Sequence, residues 1–189
     1  MRESGKPICE PFAIFACAPM RVRCDLDSFA AEGGEPHRNR DGWGMIIGEE
    51  RDAHCLGEAT AVADSPLDRF VRTHATPHAI VMAHVRRAST GDRSLANTHP
   101  FRRIRSGRLY HFAHNGTLKG IEEYAEAQPL LSHRIGDTDR ELALLVLRDR
   151  PERAAPNRLD VAARFKVFRT FAGGMADLGP ANLMWLDGL

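Results

Sequence analysis

Several short strings of polar residues in this sequence have the types and spacing needed for chemistry, and each adjoins an apolar stretch typical of a strand. Asparagine, arginine, histidine and aspartate stand there beside glycine, which lets a backbone approach a ligand closely. Rigid strands can aim such loop groups at one shared site. An early cysteine, Cys9, precedes the strings and could supply a nucleophile. The strings are Asp41-Gly42-Trp43-Gly44, His84-Val85-Arg86-Arg87-Ala88-Ser89, Asn97-Thr98-His99-Pro100-Phe101 and His114-Asn115-Gly116.

Each of these residues also has a structural explanation when it is taken alone. A cysteine next to a strand is most often an inert, small apolar residue. Asn115-Gly116 is an ordinary hairpin-turn sequence, and Arg86 could form a surface salt bridge. Asp139 could simply favour the positive end of a helix dipole. The series of strings in order, together with Cys9, is what indicates a functional site.

The elements expected to position these residues are buried strands and amphipathic helices. Ser65 followed by Pro66 predicts a helix start, because serine caps a helix and proline fits its first turn. We expect Pro151 to end the helix that begins near Thr138, and Gly173-Gly174 to end the last helix. Strands and helices occur in groups, which favours α+β layers with antiparallel sheets. Strands are predicted over 12–16, 44–48, 80–85, 108–114 and 181–186, and helices over 25–31, from 65, over 138–148 and over 157–171.

The composition is that of an ordinary globular protein. The 189 residues include 43% hydrophobic and 27% charged residues, which excludes collagen-like, coiled-coil and charge-driven disordered chains. With 26 Lys+Arg against 25 Asp+Glu, the whole-chain charge favours neither a nucleic-acid nor a membrane partner. No stretch approaches the roughly 18 apolar residues of a transmembrane helix, and the N-terminus lacks the apolar core of a signal peptide. We therefore expect a cytoplasmic protein.

Metal and disulfide sites are not expected. The four cysteines show no Cys-x-x-Cys spacing and no dense pattern. Pro77 interrupts any helix that would align His74 with His78. His111 and His114 would face opposite sides of one strand. The sequence therefore predicts no metal ligand set.

Taken in order, the strings resemble those of the class II, or N-terminal-nucleophile, glutamine amidotransferases, in particular the small stand-alone members. The resemblance runs from residue 9 to about 147, with a fainter match over 182–188. It implies an α+β fold, the four-layer α/β/β/α sandwich of the N-terminal-nucleophile hydrolases with antiparallel sheets, over residues 9–189. The matching strings are Cys9-Glu10-Pro11-Phe12, Arg40-Asp41-Gly42-Trp43-Gly44, Ala83-His84-Val85-Arg86, Asn97-Thr98-His99-Pro100-Phe101, Phe112-Ala113-His114-Asn115-Gly116 and Asp137-Thr138-Asp139-Arg140-Glu141.

The resemblance also implies a reaction. Cys9 would attack the side-chain amide of glutamine, form a γ-glutamyl thioester and release ammonia. Its own α-amine would be the base, and a pKa of about 7.7–8.0 suits that role at neutral pH. Asn115, through its side-chain amide, and Gly116, through its backbone N–H, would form the oxyanion hole.

The resemblance assigns the remaining residues to substrate binding. Arg86 would clamp the α-carboxylate of glutamine, and Asp139 would pair with its α-ammonium group. Trp43, Asp41 and His99 would belong to the pocket wall and its loop scaffold. No metal or organic cofactor is implied. The expected partners are glutamine or another γ-glutamyl small molecule, a protein that accepts ammonia, and a second copy of the chain.

Both ends of the sequence depart from the family pattern. Residues 1–8 precede the nucleophile, so we expect them to be a leader or propeptide. The chain stops just after Asp187-Gly188, so we expect the second sheet to lack its last strands. Two other functions therefore stay open. One is a γ-glutamyl amide hydrolase that acts on a thiol metabolite, and the other is an inactive, truncated homologue that serves as a binding subunit.

Overall fold

A computed structural model describes residues 9–21, 23–34, 39–49, 52–74, 76–154 and 160–187. The leader predicted at residues 1–8 lies outside these ranges, as does the end of the chain at 188–189. Within the described ranges, no helix is long and apolar enough to cross a bilayer.

Seven strands and four α-helices make up the described fold. Short 3₁₀ turns at Val62–Asp64, Leu95–Asn97, Ile121–Glu123 and Gln128–His133 connect several of these elements. The strands and helices are β1 (Glu10–Met20), α1 (Arg23–Glu32), β2 (Trp43–Glu49), β3 (Asp52–Glu58), α2 (Pro66–Thr73), β4 (His78–Val85), β5 (Phe101–Arg105), β6 (Arg108–Gly116), α3 (Asp139–Ala154), α4 (Val161–Ala176) and β7 (Ala181–Asp187).

The strands form two antiparallel sheets. The first sheet has four strands in the order β1-β4-β2-β3, and the second has three in the order β5-β6-β7. In the first sheet β1 places Phe12 opposite Ala83 of β4, and in the second β6 places Asn115 opposite Asn182 of β7. The expected antiparallel pairing is therefore confirmed for both sheets.

Alternation along the strands separates the core into three apolar layers. Trp43 and Met45 of β2 face α1, where they pack with Leu26 and Phe29. The opposite face of the same sheet meets the second sheet through Ile46, Met82, Ala113 and Leu186. The outer face of the second sheet is covered by α3 and α4, with Tyr110, Phe112, Leu142, Leu145, Phe171 and Met175 in one cluster. The order of layers is helix, sheet, sheet, helix, which confirms the predicted four-layer sandwich.

The helix start predicted at Ser65 is confirmed. The Ser65 side chain accepts a hydrogen bond of 2.9 Å from the Asp68 backbone N–H, and Pro66 occupies the first helical position. This cap satisfies one of the amide donors that an α-helix leaves free at its N-terminus.

Two predicted helix ends are wrong because burial outweighs the local signal. Pro151 does not end α3, which continues to Ala154. It lies near the end of the helix, where the loss of one hydrogen bond is small beside the burial of the leucines before it. Gly173-Gly174 lie inside α4, which continues to Ala176. Phe171 and Met175 flank them and are fully buried, which offsets about 1 kcal/mol of helix propensity per glycine.

Two further differences concern element limits. The last helix begins at Val161 rather than 157, with Asp160 as its cap, accepting a 2.7 Å bond from the Ala163 N–H. Strand β5 was not predicted because three of its five residues are arginines. It forms because alternate residues turn outward while Phe101 is buried against the second sheet's core.

Candidate functional site

Cys9 lies immediately before β1, at the end of the sandwich where β4 and β6 also end. The residue is 4% exposed. Its Sγ accepts a hydrogen bond of 3.2 Å from the Arg87 N–H and lies 3.4 Å from the Arg87 carbonyl oxygen. The side chain of Asn115 donates to the Cys9 carbonyl oxygen at 2.7 Å. The structure thus brings the predicted nucleophile and one predicted oxyanion donor together from positions 106 residues apart in sequence.

Asn115 and Gly116 form the end of β6. Asn115 shares its face of the strand with Ala113, which points to the first sheet, so its side chain also lies on the Cys9 side. Gly116 has a φ of +146°, a conformation that favours glycine. A Cβ built at this position would lie 1.8 Å from the Pro180 carbonyl oxygen. The backbone at Gly116 therefore requires glycine on two independent grounds.

Arg86 directly follows β4, and its side chain is completely buried. The guanidinium group donates to the carbonyl oxygens of Asp41 at 3.4 Å, Thr90 at 3.1 Å and Gly91 at 3.3 Å. Its Nε has no hydrogen-bond partner within the described part of the chain. Burial lowers the pKa of this guanidinium, and the charge of Arg140 lowers it further. A buried cation bonded only to carbonyl groups is suited to bind an anion.

Asp139 is the first residue of α3. One carboxylate oxygen accepts a hydrogen bond of 2.7 Å from the Leu118 N–H, and the other accepts one of 3.3 Å from the Thr90 hydroxyl. Residues 87–94, which we call the 87–94 loop, therefore contact both Arg86 and Asp139 through Thr90. The two predicted substrate-binding charges lie under the same loop.

Trp43 and His99 are both buried, and neither presents surface at the site. Trp43 is 0% exposed and packs in the layer between α1 and the first sheet, where its Nε1 donates to Glu58 at 3.3 Å. The His99 ring lies between His84 and Phe101, with its ring centroid 4.4 Å from each of theirs. This placement fits the scaffold role expected from the sequence rather than contact with substrate.

Comparison with known proteins identifies the family. The model of the class II glutamine amidotransferases matches residues 8–189. The chain belongs to this family. YafJ from Escherichia coli, provisionally named a glutamine amidotransferase, is 29% identical over 184 residues, which cover 96% of this chain and 70% of YafJ. A similarly named protein from Haemophilus influenzae is 26% identical over 188 residues, covering 97% of this chain and 61% of that protein.

Solved structures share the fold of this family member. A predicted glutamine amidotransferase from Pseudomonas aeruginosa superposes with a TM-score of 0.65 at 24% identity, covering 97% of this chain and 70% of that one. The glutamine phosphoribosylpyrophosphate amidotransferase of B. subtilis superposes with a TM-score of 0.58 at 14% identity, covering 95% of this chain and 34% of that one. At such identities the likeness concerns the fold alone, and it agrees with the layers described above.

The buried histidines of this family member carry no charge at neutral pH. Burial lowers the pKa of His84 to about 3, and the charge of Arg140 contributes to the shift. The same causes hold the pKa of His99 well below its ordinary value, with His84 also contributing. Burial lowers the pKa of both His111 and His114 to about 4. Neutral imidazoles can lie near Arg86 and Arg140 without adding positive charge to the buried site.

The hydrogen-bond partners of some site residues could not be predicted from the sequence. Asp41 accepts a hydrogen bond of 2.9 Å from the Ala88 N–H, which fixes the start of the 87–94 loop. The side chains of Asn97 and Asp137 approach to 2.6 Å, and Asn97 accepts a 3.0 Å bond from the Asp137 N–H. All three residues stand in the quoted strings, but only the fold shows which groups they pair with. Arg140 also stands in a quoted string, and its partners Gly116 and Ser89 likewise follow only from the fold.

Proposed function

We propose that this protein hydrolyses the side-chain amide of glutamine to glutamate and ammonia through a thioester on Cys9. One observation supports the proposal above the others: Asn115 donates to the Cys9 carbonyl oxygen at 2.7 Å. This contact brings an amide donor next to Cys9, the cysteine of the string Cys9-Glu10-Pro11-Phe12. The second N–H of the same amide group is then available to the oxyanion that forms on the substrate's amide oxygen when the cysteine sulfur attacks the amide carbon.

The reaction requires Cys9 to carry a free α-amine, so residues 1–8 are removed before turnover. The α-amine takes the thiol proton, and Sγ attacks the amide carbon. Asn115 and the Gly116 N–H stabilise the negative charge that develops on the amide oxygen. The carbon–nitrogen bond then breaks, and the proton held by the α-amine passes to the leaving nitrogen to give ammonia. Water hydrolyses the thioester, which releases glutamate and restores the thiol.

Substrate recognition depends on the two charges under the 87–94 loop. Arg86 binds the α-carboxylate of glutamine, which replaces the carbonyl groups of Thr90 and Gly91 as its acceptor. Asp139 binds the α-ammonium group. Trp43 and His99 act as buried scaffold beneath these groups. Ammonia leaves to solvent or to a partner protein that uses it.

The test is to produce the protein with and without residues 1–8. An N-terminal fusion whose processing protease leaves no extra residue would expose Cys9 directly, and the 189-residue chain is the comparison. We expect glutamine-dependent release of glutamate and ammonia from the form with an exposed Cys9. Intact-mass spectrometry with a glutamine-like diazo-ketone should show one covalent adduct on that form.

The matched control is Cys17→Ala, which removes an exposed thiol from β1, the strand that directly follows Cys9. This variant should keep both activity and adduct. A protein with exposed Cys9 that forms no adduct and releases no ammonia from glutamine contradicts the proposal. Turnover of a γ-glutamyl thiol metabolite in place of glutamine would keep the thioester mechanism but change the substrate.

A further inference from the structure

The reaction proposed for Cys9 gives no role to Arg140, the second residue of α3. Its side chain is almost completely buried, with 2% of the residue exposed. The guanidinium group grips the Gly116 carbonyl oxygen with two donors, from Nε at 3.1 Å and from Nη2 at 2.8 Å. The same Nη2 donates to the Ser89 hydroxyl at 2.9 Å. One side chain thus joins the end of β6 to the 87–94 loop.

The burial of the Arg140 guanidinium lowers the stability of the folded protein. Within the described part of the chain, no carboxylate lies within ion-pair distance of the Arg140 guanidinium, and its Nη1 has no hydrogen-bond partner. A second buried cation, Arg86, lies close enough for the Arg140 charge to lower its pKa. Burying an uncompensated charge destabilises a protein, whereas an apolar side chain of similar volume would not. Stability alone therefore does not account for an arginine at this position.

The preceding residue makes a parallel set of contacts. Asp139 accepts from the Thr90 hydroxyl and from the Leu118 N–H, whereas Arg140 donates to Ser89 and to Gly116. Two successive side chains of α3 therefore connect neighbouring residues of the 87–94 loop with the segment that follows Asn115.

We propose that Arg140 is a positioning residue that holds both the oxyanion hole and the substrate loop. The inference rests on the proposed function of Cys9. By fixing the Gly116 carbonyl, Arg140 fixes the backbone around the N–H group that meets the oxyanion. By holding Ser89, it keeps the 87–94 loop over Arg86 and Asp139. The first contact acts on the transition state, and the second acts on substrate binding, so the two affect different kinetic constants.

Three substitutions separate these contacts. Arg140→Met removes all three hydrogen bonds while keeping a long side chain, and it should lower kcat about 10- to 100-fold because the oxyanion donor loses its fixed position. Arg140→Lys should recover part of this loss, because an ammonium group can reach the Gly116 carbonyl but cannot grip it with two donors. Ser89→Ala removes only the contact with the loop and should raise KM about three- to tenfold with kcat nearly unchanged.

The kinetics are measured in whichever form of the protein turns over glutamine, with active sites counted by diazo-ketone labelling. Arg148→Met is the matched control, since Arg148 also lies on α3 but pairs with Asp149. It should leave kcat and KM within about twofold of the unsubstituted protein. Where Arg140→Met fails to fold, Arg140→Lys tests the grip on the Gly116 carbonyl, and Ser89→Ala tests the loop contact, because the exposed Ser89 lies in a loop and tolerates alanine.

The outcomes separate this inference from the function on which it rests. An unsubstituted protein that is inactive with Cys9 exposed overturns the proposed function and the role of Arg140 together. An active protein in which Arg140→Met and Ser89→Ala change neither constant overturns the role of Arg140 alone. A loss of activity that disappears when rates are divided by the number of labelled sites also overturns it, because that pattern indicates misfolding.

Discussion

Two cysteines of this protein lie in contrasting surroundings. Cys9 is buried, with the Arg87 backbone and the Asn115 side chain around it. Cys55 of β3 is exposed and lines a cavity of about 270 Å³ between the edge strands β3 and β5. Its Sγ lies 3.7 Å from His111 Nε2, whereas the hydrogen bonds described for the Cys9 side chain are to the backbone of Arg87. A search for a thiol beside a histidine in a cavity would select Cys55.

The chemistry of the two sites reverses this choice. Although Cys55 as a residue is exposed, its thiol is partly covered, and this burial raises the pKa of the thiol despite the charge of Arg102. Burial also lowers the pKa of His111 to about 4. The nearby charges Arg102 and Asp52 approach each other to 3.5 Å. By contrast, the Asn115 amide donor lies beside Cys9, and the 87–94 loop contacts Arg86 and Asp139, the two charges that the proposed function assigns to substrate binding. A nucleophile is better identified by the groups that would receive its substrate than by one neighbouring base.

The largest effect on turnover should come from replacing each of the two cysteines with alanine. Cys9→Ala should lower glutamine turnover at least about 10³-fold, because it removes the atom that forms the thioester. Cys55→Ala should leave kcat/KM within about twofold, since the residue takes no part in the reaction. Ammonia release by both variants is the measurement. Loss of turnover in Cys55→Ala with retention in Cys9→Ala would exchange the roles of the two sites.

The next largest effect should come from the oxyanion donor. Asn115→Ala should lower kcat about 10²- to 10³-fold, because the charge on the amide oxygen loses one of two donors. Asn182→Ala is the matched control, since Asn182 pairs with Asn115 across the sheet but is exposed on β7. It should leave kcat unchanged. Steady-state kinetics of both variants decide whether the donor is Asn115 itself or merely an asparagine in this part of the sheet.

Glycine substitutions compare the site with an ordinary turn. Gly116→Ala should destabilise the fold by about 3 kcal/mol or more, because the new methyl group meets the Pro180 carbonyl oxygen in addition to the strained backbone. Gly107→Ala tests backbone strain alone, since Gly107 has a φ of +70° and open space around its Cβ. We expect a loss of about 1–2 kcal/mol there. Urea denaturation gives both values, and equal losses would contradict the steric argument.

The smallest expected effect is on the pH dependence of folding stability, and it concerns His111, the histidine beside Cys55. A buried histidine whose pKa is lowered binds its proton only in the unfolded chain, so stability is full above the ordinary pKa of about 6.5 and falls as the pH decreases. For His111, with a pKa of about 4, the loss between pH 7 and pH 5 should be about 2 kcal/mol. His111→Gln should therefore reduce the acid-induced loss by that amount in urea titrations. An unchanged pH dependence would show that His111 is protonated in the folded state.

Local signals predicted much of this fold, and tertiary contacts decided the rest. The cap at Ser65 and the strands around Ile46 and Ala113 follow from sequence patterns within a few residues. Pro151 and the glycine pair in α4 mislead because helix-ending signals compete with burial that no local pattern reveals.

The same contrast between local signals and tertiary contacts applies to the candidate site. The strings identified Cys9 and Asn115, which the fold brings into contact, because each string lies at one end of a strand or at the start of α3. Their partners were not predictable, since the contact of Asp139 with Leu118 and that of Arg140 with Ser89 depend on how distant segments meet. The contact between Cys55 and His111 also escaped prediction, because the two residues belong to strands of different sheets.

The carbonyl groups of Thr90 and Gly91 that cover Arg86 have a consequence for selectivity. Under the proposed function, an incoming compound must displace them, and it gains only if its own acceptor is stronger than a peptide carbonyl. The carboxylate of a free amino acid meets this condition, because it carries a full negative charge. A glutamine residue inside a polypeptide offers another peptide carbonyl at that position and gains nothing by the exchange. Under the proposed function, the loop therefore favours free glutamine over the glutamine residues of other proteins.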